Sequence, residues 1–129
     1  MPIVTISILE GSTAEYKNSI HEAVHSALVN VFKIPEGDYN QKINEYGRAY
    51  WKIPEGKSDK FITIEIIAFP GRKKETKKKL YQEIIFNLEK IGIDKNDTFI
   101  IVIEQPMENW GIRGGIPADE VDVGFKTDV

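Results

Sequence analysis

Cysteine is absent from all 129 residues. That excludes a disulfide framework, a thiolate nucleophile, and zinc or iron–sulfur sites held by cysteine. Long apolar runs are missing too, and none approaches the roughly 18 residues needed to span a membrane. The opening MPIVTISILEGS has no basic start and no extended apolar stretch, so no signal peptide is expected. The cytoplasm is therefore the expected location, and no membrane partner is expected. A large charge of either sign is also lacking. At a net −3 the chain is not expected to bind nucleic acid as a whole domain. Histidine occurs only twice.

What is present is an ordinary globular balance, 41% hydrophobic and 29% charged, in a length that suits one domain over residues 1–129. A domain of this size leaves much surface uncovered, which favours oligomerisation. IVTISIL (3–9) alternates, with Val4, Ile6 and Ile8 making one aliphatic face, and reads as a strand. Ser12-Thr13-Ala14-Glu15 fits a capping box. Tyr16, Ile20, Ala23, Val24, Ala27, Leu28 and Val31 then follow helical spacing up to the stop at Ile34-Pro35-Glu36-Gly37. A strand is expected within 41–51.

The pattern recurs as a strand at 61–69, a Pro70-Gly71-Arg72 turn, a helix with Leu80, Tyr81, Ile84, Leu88 and Ile91 on one stripe, and a strand at 99–104. An offset of 60 overlays Gly11 on Gly71, Ile20 on Leu80, Val24 on Ile84 and Leu28 on Leu88. The chain thus reads as two βαβ units, about 2–50 and 61–104, with a Gly-rich tail over 106–129 that has room for short edge strands. The fold class is α/β (α+β), a four-stranded mixed sheet with both helices on one face. Strands 3–9 and 61–69 are expected to run parallel, bringing Pro2 and the Arg72 turn to one side of the sheet. The other face of the sheet would then need cover from further subunits, with the tail reaching a neighbour.

Two local patterns invite other chemistry. His21-Glu22-Ala23-Val24-His25 matches H-E-x-x-H, the zinc-hydrolase motif. A third ligand would have to be a carboxylate, and no downstream Glu lies in a recognisable context, so no metal is expected. Arg72 to Lys79 carries six basic residues. Without aromatic partners it reads as a solvated helix face.

A Met-Pro start, IPEGDYNQ (34–41), PGRKKETKKKLYQEI (70–84) and ENWGIRGG (108–115), in this order on a doubled βαβ pattern, resemble the tautomerase superfamily. Within it the likeness is to the malonate semialdehyde decarboxylase-like branch. The resemblance implies an isomerase or a related carbon–carbon lyase or hydratase, a homotrimer, a small oxo-carboxylic acid as substrate, and no cofactor. It implies catalytic roles for Pro2, Asp38 and Arg72, and substrate contacts from Arg72, Trp110 and Ile112. Pro2 acts once Met1 is removed, because a free secondary amine exchanges protons and an amide does not. The branch's earlier arginine falls on Pro70 and its second wall aromatic on Ile112, so both are replaced here. Lys73 and Lys74 are the candidates for the missing cation. A non-catalytic trimeric member of the same fold is the alternative.

Overall fold

The computed structural model describes residues 2–129, so the expected removal of Met1 lies outside the described residues. The strands are β1 (Ile3–Leu9), β2 (Gln41–Tyr46), β3 (Ile62–Ala68) and β4 (Thr98–Glu104), and they form one sheet in the order β2-β1-β3-β4. The helices are α1 (Ala14–Ala27), continued by a π turn at Leu28–Phe32, and α2 (Lys74–Glu89). Val4, Ile6 and Ile8 of β1 and Ile62, Ile64 and Ile66 of β3 share one core with Ile20, Val24 and Leu28 and with Leu80, Ile84 and Leu88. Both helices therefore cover the same sheet face. Each such side chain contributes about 1.5–3 kcal/mol by burial.

Each βαβ unit pairs its own strands in parallel, β1 with β2 and β3 with β4. Between the units the expected direction is wrong. β1 and β3 are antiparallel, with Ile3 opposite Ile67 and Ser7 opposite Thr63. Two copies of a unit joined about a two-fold axis must meet head to tail. Parallel strands would have put the start of β1 beside Phe61. The antiparallel register puts it beside Ala68 and the turn that carries Arg72.

The local readings shift by small steps. Thr13, not Ser12, caps α1, its hydroxyl accepting from the Tyr16 N–H at 3.1 Å. β2 stops at Tyr46, where a turn closes from the Tyr50 N–H to the Gly47 carbonyl. In the tail, β5 (Gly111–Ile112) and β6 (Ile116–Pro117) pair with each other instead of extending the main sheet. The last residues fold back on their own chain. Thr76 donates to the Val129 carbonyl at 2.6 Å, and Thr127 lies so close to Gly71 that a Cβ there would meet its carbonyl oxygen at 3.1 Å. Gly71, at φ +120°, also needs a backbone that other residues rarely adopt.

The face of the sheet away from the helices is mixed, not uniformly apolar. Thr5, Ser7, Thr63 and Glu65 run down its centre, while Phe99 and Ile101 of the β4 edge are more than half exposed. Among the described residues no helix is long and apolar enough to cross a membrane.

Asp97 ties the start of β4 to the loop before β3. Its carboxylate accepts the Ser58 backbone N–H at 2.8 Å and also the Ser58 hydroxyl. The Ser58 hydroxyl first, then its N–H, hold the Asp97 carboxyl below the usual range. A depressed folded-state value means stability present above the ordinary aspartate value, about 3.9, and lost as pH falls through the folded one. Asp97→Ala should lower the urea midpoint at neutral pH and flatten the acid limb of stability against pH below about 4. Urea unfolding across that range measures both.

Candidate active site

The site is assembled at the end of the sheet where β1 begins and β3 ends. One step beyond the paired residues, the register carries Pro2 level with Ala68, and Val4 donates to the Asn40 carbonyl at 3.0 Å on the other side. Pro2 is buried there, between the loop bearing Asp38 and the turn bearing Arg72. A cavity of about 550 Å³ opens at this end. Its apolar wall is Phe69, Ile112, Val123 and Phe125, and its charged lining residues are Asp38 and Arg113.

Arg72 is 6% exposed and lies behind this wall. Nη1 donates to the Phe69 carbonyl at 3.2 Å and Nη2 to the Phe32 carbonyl at 3.1 Å, with the guanidinium 4.5 Å from the Phe32 ring centre. Arg72 precedes α2, where a helix dipole disfavours a cation. Its charge, however, reaches the C-terminal end of the first helical segment, which favours one. Phe32 closes the π turn, so its carbonyl is one that the helix leaves unpaired. Burial lowers the Arg72 pKa, and the nearby Glu104 charge partly opposes that. Nε is buried without a hydrogen-bond partner. A buried N–H of this kind is rare.

Of the expected wall, Ile112 lines the cavity and Trp110 does not. Trp110 packs edge-on against Phe69 at 4.8 Å and donates from Nε1 to the Gln105 carbonyl at 3.2 Å. It supports the wall from behind. Lys73 and Lys74 are exposed at the start of α2, away from the cavity lining. Arg113, Phe69, Val123 and Phe125 were not anticipated. Arg113 had one legible signal, an arginine inside the Gly-rich turn GIRGGI. The tail residues had none, because their placement depends on the tail folding back.

The histidines of HEAVH have other partners. The His25 ring is stacked on Tyr39 at 3.7 Å and 9°, and its Nε2 is 2.8 Å from the Glu36 carbonyl. His21 Nδ1 lies 2.8 Å from the Gln41 amide nitrogen, and burial lowers the His21 pKa. Among the described residues no group of three or more His, Cys, Asp or Glu is placed to hold a metal. Glu36 and Tyr39 flank Asp38, so His25 fastens the loop that carries it.

The other end of the sheet holds a cavity of about 330 Å³ lined by Gly11, Ser12, Tyr16 and Phe61 among others. It is the counterpart under the 60-residue repeat, and it has Ser12 where the first site has Arg72. The repeats therefore build one turn with an arginine, not two, and the cation in the lining of the second cavity is Lys60.

Comparison with known proteins is consistent along the chain. A family model described as tautomerase enzyme matches residues 38–113, and a second of the same description matches residues 2–59. A probable tautomerase of Bacillus subtilis (strain 168), YusQ, is 26% identical over 121 residues, covering 89% of this chain and 95% of that protein. YrdN of the same organism, also a probable tautomerase, is 22% identical over 120 residues, covering 89% of this chain and 93% of its own. Among solved structures, FG41 malonate semialdehyde decarboxylase inhibited by 3-bromopropiolate aligns with a TM-score of 0.83 at 25% identity, covering 94% of this chain and 98% of that one. A fused 4-OT solved as an asymmetric trimer aligns at 0.81 and 18% identity over 92% and 97%, and so shares the fold.

The loop latch yields a stability prediction. His25→Phe keeps the stack on Tyr39 and loses the hydrogen bond, at a cost of about 1 kcal/mol. His25→Ala loses both and should cost about 2–4 kcal/mol. Urea denaturation of the two variants measures the difference.

Proposed function

This chain belongs to the tautomerase enzyme family, and on that premise we propose that it moves a proton on a small enolisable oxo-carboxylic acid, with the Pro2 amine as the acid/base. The observation that supports the reading is that one end of the sheet carries buried Pro2, the Arg72 guanidinium bound to the Phe69 carbonyl, and a cavity lined by Asp38, Phe69 and Ile112, although Pro2 and Arg72 are not themselves in its lining. A free α-amino group ordinarily titrates at about 7.7–8.0. Apolar surroundings and the Arg72 cation disfavour the ammonium form and would bring a proline amine, normally more basic, toward neutrality. Neutral Pro2 takes the proton from the carbon next to the substrate carbonyl and returns it to the other end of the enol. Arg72, through Nε, meets the substrate carboxylate. Phe69, Ile112, Val123 and Phe125 keep water away from the reacting carbon. The chain would act on its substrate in the cytoplasm.

A second reading has the likeness to malonate semialdehyde decarboxylase in its favour. Here Pro2 stays protonated and polarises a 3-oxo group while carbon dioxide leaves, with Asp38 assisting loss of the carboxylate or activating water. The two readings have opposite pH signs. Proton abstraction needs the free amine, so kcat/KM rises with pH through its pKa, whereas decarboxylation needs the ammonium and falls with pH. A non-catalytic trimeric protein is the remaining alternative, and retention of Pro2, Asp38 and Arg72 together speaks against it.

We also propose a homotrimer. The exposed Phe99 and Ile101 on the β4 edge need cover, and fused 4-OT structures of this fold are trimers. Light scattering should give about three times the 14.7 kDa chain mass, and Ile101→Glu should shift it toward monomer. A wild-type monomer at micromolar concentration would refute the assembly.

The catalytic reading is tested with Pro2→Ala on protein whose mass proves that Met1 is gone. The substitution should lower kcat by roughly 10²-fold on an enolisable 2-oxo acid. Arg72→Ala should raise KM by about 2–5 kcal/mol in free-energy terms. An unchanged rate in Pro2→Ala would make the amine a bystander and leave the non-catalytic reading standing.

A further inference from the structure

Arg113 combines three properties that no other basic residue of the chain shares. It is the one cation among the described residues that lines the 550 Å³ cavity. It has φ +49°, in the left-handed region, on the turn between β5 and β6. It has no carboxylate partner among the described residues, and its one hydrogen bond runs from Nη2 to the Asp122 carbonyl at 2.9 Å. The left-handed position favours glycine, and two glycines follow it directly. A long β-carbon-bearing side chain is therefore held at a backbone cost where the turn alone would prefer none.

We propose that Arg113 is a substrate-binding residue that selects a carboxylate whose apolar group lies on Phe69, Ile112, Val123 and Phe125. This rests on the reading that the cavity binds an oxo acid. The chemistry calls for a second cation. Arg72 has both terminal nitrogens on main-chain carbonyls and is not in the cavity lining, so a carboxylate held in the cavity needs a cation that is. Arg113 lines the cavity and has its Nε and Nη1 uncommitted, so it can meet a carboxylate bound there. Lys73 and Lys74 cannot do so from outside the lining. The cavity's other charged lining residue, Asp38, has the same sign as a carboxylate. The carboxylate is thus directed to the hairpin end and the apolar group to the aromatic wall. The cavity also has room for an acid larger than a three-carbon one.

The test compares an acid with its neutral ester. Wild type, Arg113→Gly, Arg113→Lys and Lys73→Ala are assayed on phenylpyruvate and on its methyl ester. Glycine suits the left-handed backbone, so this variant removes the side chain without straining the turn. Arg113→Gly should raise KM for the acid by roughly tenfold or more, leave kcat within about twofold, and leave the ester unaffected. Arg113→Lys should fall between, and Lys73→Ala should match wild type. Equal effects on acid and ester would overturn the proposal and assign Arg113 to the turn alone. So would an effect of Lys73→Ala as large as that of Arg113→Gly. If wild type turns over neither compound, the oxo-acid reading fails by itself and calorimetry with benzoate and benzamide decides about Arg113. Binding of benzoate by wild type, lost in Arg113→Gly and absent for benzamide, supports it. No binding, or binding that Arg113→Gly leaves unchanged, overturns it.

Discussion

One buried cation joins the two halves of this protein. The Arg72 guanidinium binds the carbonyl that ends the first helical segment and the carbonyl just after β3, and it stacks on Phe32. A buried charge normally needs an opposite charge or a full set of hydrogen bonds. Here main-chain dipoles supply most of that. The consequence is geometric: the loop after α1 and the turn before α2 are held together, and with them Asp38 and Phe69 at the mouth of one cavity. Nε is left without a hydrogen-bond partner.

The doubled βαβ pattern explains why this happens at one end only. Antiparallel pairing of β1 with β3 creates two similar ends, each with a strand start and a strand-to-helix turn. At one end the turn carries Arg72, and at the other Ser12. A short polar side chain cannot span to the opposite unit as arginine does. The asymmetry of the site therefore combines this difference in the turn with the tail residues that line only the first cavity.

The HEAVH string shows how far a motif reaches without its context. The spacing puts both histidines on one side of α1, as zinc ligation would require. The loop that follows places Tyr39 and the Glu36 carbonyl against His25, and Gln41 against His21. Once those partners are in place, the pair fastens the Asp38 loop. The motif was a correct statement about a helix face and no statement about what the face meets.

Much of the scaffold was determined by the sequence alone. Alternation in 3–9, the more continuously apolar run at 61–69, the helical stripes through Ile20 and Leu80, and the 60-residue offset were enough for two βαβ units and a four-stranded mixed sheet. These are local periodicities, and burial of one face per element enforces them. Pro2, Asp38, Arg72 and Ile112 stood out as candidates through the order of short motifs, and of these Asp38 and Ile112 are in the cavity lining. Tertiary structure decided the rest. Strand direction between the units depends on how two separately closed βαβ blocks dock, which no period within either block encodes. Which end of α1 the Arg72 charge meets depends on that docking. The cavity's aromatic tail wall and Arg113 depend on residues 111–125 folding back across it. Those contacts join residues far apart in the chain, and only the packed molecule brings them within reach.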